Sequence, residues 1–391
     1  MPPAPPFDLV IGGIPRFAAE APWAWRLLRR YALRLACATR TELPGRRPTV
    51  GDIRGDSPFV LVQADPESYL PPQAAERLLA GLARDGADVV LPVSNEPWTE
   101  EARTAPAFAY TTPSQLEEAV VAAARGAGAC FAASDPRSPV FALRRETLAR
   151  FSATDFLDEI PARAGRAGCS VSIDPGAYLH RYGAMDAQAR EDLAERVPAG
   201  AGSVLDVGCS RGATAAALRA RGVTRLVGIE PDAEDAAAAA GVYDQVIARP
   251  LEEVGEDFTN QFDAVLFGDV LEHLVDPAQA LLRVRPWLSE TGVVIASVPN
   301  FGHWAVVADL IEGRFEYVPY STLSGTHIRF FTRRTVHDLF AACGYAVDRV
   351  DTVELPPSPG GVERLAQLAA MPGACADLTA VEFIVVARAD G

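Results

Sequence analysis

In the stretch "SVLDVGCSRGATAAALRARGVTRLVGIEPD", Ser203 to Asp232, two acids and two glycines stand at spacings that could hold a ligand. Asp206 ends an apolar run two residues before Gly208, and Gly212 follows four residues later. Glycine turns of this kind let backbone amides approach a ligand closely. The dinucleotide form, G-x-G-x-x-G, seats a pyrophosphate, but here Ser210 occupies its second glycine position. A carboxylate a few ångströms from a pyrophosphate costs roughly 1–4 kcal/mol at effective dielectrics between water and protein surface. Asp206 therefore favours a ligand that carries positive charge. Glu230 ends the next apolar run, 22 positions after Gly208. An acid there can accept hydrogen bonds from both hydroxyls of a ribose. A nucleoside with a cationic amino-acid tail, S-adenosylmethionine, meets both requirements. The plainer alternatives are NAD, or a turn with no ligand.

Group transfer from such a ligand to a hydroxyl needs in-line approach and a base for the departing proton. Neutral imidazole suits that role near pH 7. Of the five histidines, His273 in "LEHL" and His303 in "VPNFGHW" follow apolar runs, and His327 lies in "GTHIRFF". His337 lies in a helical pattern and reads as an exposed helix face, and His180 lies further upstream. His327 and His303 are the candidates for base or acceptor contact. Against them stand two plainer readings: a loop histidine capping a carbonyl, and packing beside Trp304. His273 reads as structural. Asn300, Trp304, Tyr317, Tyr320 and Arg329 are the candidate acceptor contacts, although Phe315, Tyr317 and Tyr320 read equally as the core of a covering segment. The histidines offer no i,i+4 pair and the six cysteines no CxxC, so no metal site is expected.

These residues need a scaffold that gathers strand ends. Short apolar runs predict strands at Ser203–Val207, Arg225–Ile229, Gln245–Ala248, Phe262–Phe267 and Val293–Ser297, as for strands buried on both faces. Helical patterns at Gly212–Arg221, Asp232–Ala240 and Pro277–Leu288 lie between them, the last preceded by Asp276 as a possible N-cap. Such alternation predicts an α/β, doubly wound parallel sheet, whose ligands sit at the strands' carboxyl ends. "YAVDRVDTVEL" and "AVEFIVVARA" are two further strands that close one edge.

On these residues, Ser203 to Ala387 resembles a class I S-adenosylmethionine-dependent methyltransferase. "LDVGCSRG" resembles the family's first motif, "GIEPD" its second, and "FDAVLFGDVLEHLVDP" its fourth strand and following loop. The resemblance implies a Rossmann-like seven-stranded sheet and a cofactor pocket lined by Asp206, Gly208, Cys209, Gly212, Glu230, Pro231, Gly268, Asp269 and Val270. The family often carries an acid after the third strand; here "VIARPLEE" stands there, which leaves adenine to the backbone at Leu251 and to apolar packing. The block from "VPNFGHW" to "AACGY" resembles a bacterial subfamily that often travels with glycosyltransferase domains. There the segment after the fifth strand is a lid over the acceptor.

Residues 1–184 read as a smaller α/β domain, 185–202 as helix and linker, and 203–391 as the methyltransferase domain. In the first, "FDLVIGG", "FVLVQAD" and "ADVVLPV" predict strands, and "PPQAAERLLAGLARDG" and "QLEEAVVAAARGAG" predict helices. "FVLVQADPESYLPPQAAERLLAGLARDGADVVLPV" resembles the middle of a family 2 glycosyltransferase of the A-type fold, shortened and degenerate. That family's metal-binding Asp-x-Asp is reduced to Asp65, with Gln63 at the partner position, and divalent sites usually need two acidic contacts or more.

Composition bounds the rest. A formal net charge of −15 repels phosphate backbones and anionic lipid, which argues against nucleic-acid and membrane partners. The opening "MPPAPPFDLV" lacks a basic flank and a long apolar run, so no signal peptide and a cytoplasmic location are expected. The absence of lysine excludes a Schiff-base lysine and a Walker loop. Three functions stay open: O-methylation of a small-molecule or glycan acceptor, a bifunctional glycosyltransferase/methyltransferase, and a non-enzymatic cofactor-binding scaffold. A homodimer is compatible with each.

Overall fold

The computed structural model describes residues 5–13, 35–65, 68–95, 99–104, 111–181, 189–255, 258–318 and 321–390. The chain divides into two compact units, one of Met1–Gly183 with Glu316–Gly325, the other of Ala184–Phe315 with Thr326–Gly391. The ten residues Glu316–Gly325 thus interrupt the sequence range 203–391 and group with the first unit. Within that unit the Ser321 hydroxyl donates to the Thr111 carbonyl at 2.8 Å. No helix among the described residues is long and apolar enough to cross a membrane.

The first unit contains strands β1 (Phe7–Gly13), β2 (Thr39–Pro44), β3 (Phe59–Gln63), β4 (Ser68–Tyr69), β5 (Val89–Ser94), β6 (Phe131–Ala132), β7 (Val140–Arg144) and β8 (Val171–Arg181). Their order is β2-β1-β3-β7-β5-β8-β4, with β6 on β8. β7 runs antiparallel between β3 and β5. Helices α1 (Pro72–Asp85), α2 (Pro113–Gly126) and α3 (Ile160–Arg166) accompany the sheet. β3 and β5 are buried along their whole lengths, which is why they read as unbroken apolar runs. Gln63 is a brace: its amide donates to the Ser68 carbonyl at 2.9 Å, and the Ser68 hydroxyl donates to the Asp65 carbonyl at 2.9 Å.

The second unit contains β9 (Ser203–Val207), β10 (Arg225–Ile229), β11 (Gln245–Ile247), β12 (Phe262–Gly268), β13 (Leu288–Pro299), β14 (Tyr345–Glu354) and β15 (Ala380–Ala389). The order is β11-β10-β9-β12-β13-β15-β14. The first five are parallel, and β15 is antiparallel to both β13 and β14. The helices are α4 (Glu191–Ala194), α5 (Ala215–Ala220), α6 (Ala233–Ala239), α7 (Pro277–Val284), α8 (Trp304–Ile311), α9 (Arg333–Ala342) and α10 (Gly361–Ala369). Alternate residues feed two cores. Leu205, Val207, Val265 and Phe267 pack with α7 and α9 residues on one face. Val204, Leu226, Ala264 and Leu266 pack with Leu193, Ala215 and Leu218 on the other. Helices on both faces make this a doubly wound α/β sheet.

Element ends differ from the sequence reading for physical reasons. α5 starts at Ala215 rather than Gly212 because Gly208, Ser210 and Gly212 all take positive φ, at 74°, 44° and 86°, and so build a loop. α7 stops at Val284 and tightens into a 3-10 turn at Arg285–Trp287, since Pro286 has no N–H for the next α-helical bond. Of the helix expected within residues 185–202, the described part is α4, and residues 182–188 lie outside the described range. Asp276 caps α7 as expected, accepting from the Gln279 amide at 3.1 Å.

Candidate active site

Parallel pairing places Asp206 of β9 beside Gly228 of β10 and Leu266 of β12, at the carboxyl end of the central strand. A Cβ on Gly208 would stand 2.5 Å from Val270 Cγ2, and one on Gly212 would stand 2.6 Å from Val242 Cγ2. Both positions also need left-handed backbone, so two constraints select glycine. Ser210 accepts that conformation without being glycine, at a cost of order 1–3 kcal/mol, and its amide is used: it donates to Glu230 Oε2 at 2.9 Å. The Asp232 amide donates to Oε1 at 2.9 Å. The Glu230 carboxylate is thereby oriented by both turns it touches, with lone pairs left to accept ribose hydroxyls. Burial raises its pKa, and the two amides oppose the shift.

Asp206 is buried, and the Tyr243 hydroxyl donates to its Oδ2 at 2.5 Å. Burial pushes the Asp206 carboxyl up to about 6, against the lowering effect of that bond. Cys209 packs on Gly228, where a Cβ would stand 2.5 Å from its sulfur, and burial raises its thiol pKa. Pro231 is exposed beside Glu230. The Leu251 side chain lies in the core, so only its backbone can face a ligand.

β12 delivers Gly268 and Asp269, the latter at φ 52°. The Asp269 amide donates to Ser297 Oγ at 2.9 Å, and that hydroxyl donates back to Asp269 Oδ1 at 3.0 Å. Arg190 pairs with Asp269 Oδ2, with Asp192 at 2.9 Å and with Glu382 at 2.6 Å. A guanidinium thus stands at the strand ends beside the glycine turn, held by three carboxylates.

Beyond Asp269 the chain turns through Leu271–His273. Glu272 is fully buried, and neither of its carboxylate oxygens has a hydrogen-bond partner among the described residues. Burial, then the neighbouring Asp269, holds its carboxyl well above the ordinary carboxylate range. The Glu272 carbonyl accepts from the amides of Ile328 and Arg329 at 2.9 and 3.0 Å, which draws His327 over it. His327 Nε2 lies 4.0 Å from Glu272 Oε1. The His273 and His327 rings meet edge to face at 4.8 Å, with His273 Nδ1 3.3 Å from the Thr326 carbonyl. Ligand atoms of Glu272, His273 and His327 all lie within 4.8 Å of one another, a set that could hold a divalent ion. Histidine spacing along the chain could not show this, because the third ligand is a carboxylate and the partner lies 54 residues away.

Three candidate residues are buried. Trp304 packs against Ala305, Ala308, Leu368 and Leu378, and a Cβ on Gly361 would strike its indole, so its ring belongs to the core of the unit. Asn300 is buried as a brace, its amide donating to the carbonyls of Asp377 at 3.0 Å and Ala380 at 2.8 Å while Oδ1 accepts from Gly302 N at 2.8 Å. His303 is the N-cap of α8, its Nδ1 accepting from Ala305 N at 3.4 Å, and burial pushes its pKa down to about 4. Arg329 is exposed, and its guanidinium donates to the carbonyls of Ile328 and Val275. Tyr317 lies in the segment that groups with the first unit, and Tyr320 lies outside the described residues. Sequence reasoning missed Arg190, Tyr243, Ser297 and Glu382. Arg190 and Glu382 carry no local signal, each reading as a charged residue on an ordinary helix or strand.

Residues 178–350 match the family model described as a methyltransferase domain. Over 142 residues the chain is 32% identical to the ubiquinone biosynthesis O-methyltransferase of Pseudomonas entomophila (strain L48) and to that of Pseudomonas fluorescens (strain SBW25). The aligned stretch covers 34% of this chain and 59% of each relative, so the chain spans under two thirds of the length of these curated proteins. A solved S-adenosylmethionine-dependent methyltransferase from Mesorhizobium loti is 21% identical and covers 50% of this chain and 95% of its own, with a TM-score of 0.36.

Proposed function

We propose, from the premise that residues 178–350 form a class I S-adenosylmethionine-dependent methyltransferase domain, that the protein methylates a hydroxyl of a small-molecule or glycan acceptor. The observation that carries this reading is the position of His327 4.0 Å from the buried Glu272, which neighbours Asp269 at the end of β12. The cofactor supplies an electrophilic methyl group on a sulfonium. Asp206 would set negative charge near that cation, Glu230 would accept the ribose hydroxyls, and Arg190 would receive the amino-acid carboxylate. With the cofactor bound, His327 Nε2 would take the proton that the acceptor hydroxyl gives up. The relatives named as O-methyltransferases support oxygen as the acceptor atom.

A second reading is favoured by the geometry of Glu272, His273 and His327. Held there, a divalent ion would lower the pKa of an acceptor hydroxyl and reduce the need for a base. Methyl-transfer assays with candidate phenols and sugars, run with and without EDTA, separate the two. Activity insensitive to chelation but abolished in His327→Ala supports the base, and activity lost to EDTA and restored by Mg²⁺ or Zn²⁺ supports the ion. Absence of transfer to any hydroxyl, with transfer to amines, overturns O-methylation.

For the first unit, an inactive glycosyltransferase-like role in packing or acceptor docking is the reading in best accord with Gln63. Its side chain stands where the family motif carries the first of its two acids, and it is committed to Ser68. Saturable Mn²⁺-dependent binding of UDP- or GDP-sugars, lost in Asp65→Ala, would favour a bifunctional enzyme instead.

A further inference from the structure

We infer that Glu382 is a positioning residue for cofactor binding, holding Arg190 in place while the Arg190–Asp269 ion pair opens and is replaced by the two charges of the cofactor's amino-acid end. The inference rests on the reading that this cleft takes S-adenosylmethionine and that Arg190 receives its carboxylate.

The Arg190 guanidinium has two differently used edges. Nε and NH2 donate to Asp192 Oδ1 and Oδ2 at 3.0 and 2.9 Å, and NH2 also donates to Glu382 Oε1 at 2.6 Å. NH1 donates to Asp269 Oδ2 and to Ser297 Oγ, the latter at 3.0 Å. The side chain of Asp269 is 46% exposed, against 22% for Arg190 and 19% for Glu382. Water and ligand therefore reach the Asp269 pair first. Water screens the pair from the Asp269 side, so its partners can be exchanged at little cost. The Glu382 pair is shielded, and releasing it would strand a charge away from water.

A zwitterionic amino acid offers what the open pair gives up. Its carboxylate can take the NH1 edge of Arg190, and its ammonium can take Asp269. The exchange succeeds only if Arg190 does not follow Asp269 or swing into solvent. Asp192 lies two residues from Arg190 on the same stretch of chain, whereas Glu382 belongs to β15, opposite Pro299 of β13. Glu382 is thus the anchor that ties the guanidinium to the sheet.

The test is calorimetric titration of the full-length chain and its Glu382→Gln and Glu382→Asp variants with two ligands: S-adenosylhomocysteine, and 5′-methylthioadenosine, which lacks the amino-acid end. Loss of the anchor is expected to raise the Kd of S-adenosylhomocysteine by about 10–100-fold in Glu382→Gln, as for a charged hydrogen bond. Affinity for 5′-methylthioadenosine should stay within about twofold, and Glu382→Asp should recover part of the loss. Equal weakening of both ligands, or no weakening of either, would overturn the inference alone. Failure of the unmodified protein to bind S-adenosylhomocysteine would overturn the cofactor reading and this inference with it.

Discussion

The hydroxyl of Tyr243 and the carboxyl of Asp206 meet at 2.5 Å across 37 residues of sequence, and the bond fixes the acid that begins the cofactor turn. Asp206 enters the cleft from β9, while Tyr243 follows α6 and packs with Ala239 and Cys209 in the core on that face. Tyr243→Phe removes the donor and leaves the ring. Stability should fall by about 1–3 kcal/mol, because a buried acceptor is left unpaired. Chemical denaturation measures that loss, and an unchanged midpoint would show the bond to be idle.

Cofactor affinity should depend on pH through Asp206. Its carboxyl is pushed up to about 6 by burial, and the charged or titratable groups around it are Tyr243, Glu230, Cys209 and Arg190. An acid with a raised folded pKa contributes stability that is complete below its unfolded value, about 4, and is lost as pH rises through the folded value. A bound cation reverses the preference by favouring the carboxylate. S-adenosylmethionine should therefore bind roughly tenfold more tightly at pH 7 than at pH 5, with Glu230, also shifted upward by burial, adding in the same direction. Calorimetry from pH 5 to pH 8 should show the rise in the unmodified protein and a smaller one in Asp206→Asn. A flat profile counts against positive charge at Asp206.

Glu230→Ala should weaken S-adenosylhomocysteine by about 1.5–3 kcal/mol, the range for hydrogen bonds to a charged group. It also frees the amides of Ser210 and Asp232, so some loss of folding stability should accompany it. For the unmodified protein, S-adenosylhomocysteine at a hundredfold over its Kd should stabilise the fold by about 2.7 kcal/mol. Preferential stabilisation by NAD would contradict the cofactor assignment.

The two histidine candidates should separate by assay. His327→Ala should slow single-turnover transfer by about 10²–10⁴-fold with cofactor affinity nearly unchanged. His303→Ala should instead cost stability, about 1 kcal/mol from the lost cap and more from the space vacated by a buried ring, with the rate per folded molecule preserved. A slow but fully stable His303→Ala variant would return His303 to the acceptor site.

Gly208→Ala should abolish or severely weaken cofactor binding. The substitution forces a side chain onto backbone at φ 74° and drives its Cβ to 2.5 Å from Val270 Cγ2. Val270 lies in the loop after β12, so relief of the clash would move Asp269 as well. Titration with S-adenosylhomocysteine checks this, and near-normal affinity would mean the loop yields without consequence.

The sequence by itself determined the sheet and the glycine turn of the second unit. Strands buried on both faces must be apolar runs, and a backbone passing close to a ligand must carry glycine at defined positions. β9, β10 and β15 accordingly span the residues their patterns predict, and Asp206, Gly208, Gly212 and Glu230 fall within one strand–turn–helix–strand unit whose geometry is local. Tertiary structure decided the rest. Arg190 meets Glu382 across 192 residues and His327 meets Glu272 across 55, pairings that depend on strand order and on which way a loop returns. Asn300 and Trp304 stand next to the strand end where a ligand would be sought, yet both turn into the protein. Their orientation is set by α10 and the chain before β15, which pack against them, and a residue's own neighbours in sequence carry no record of that.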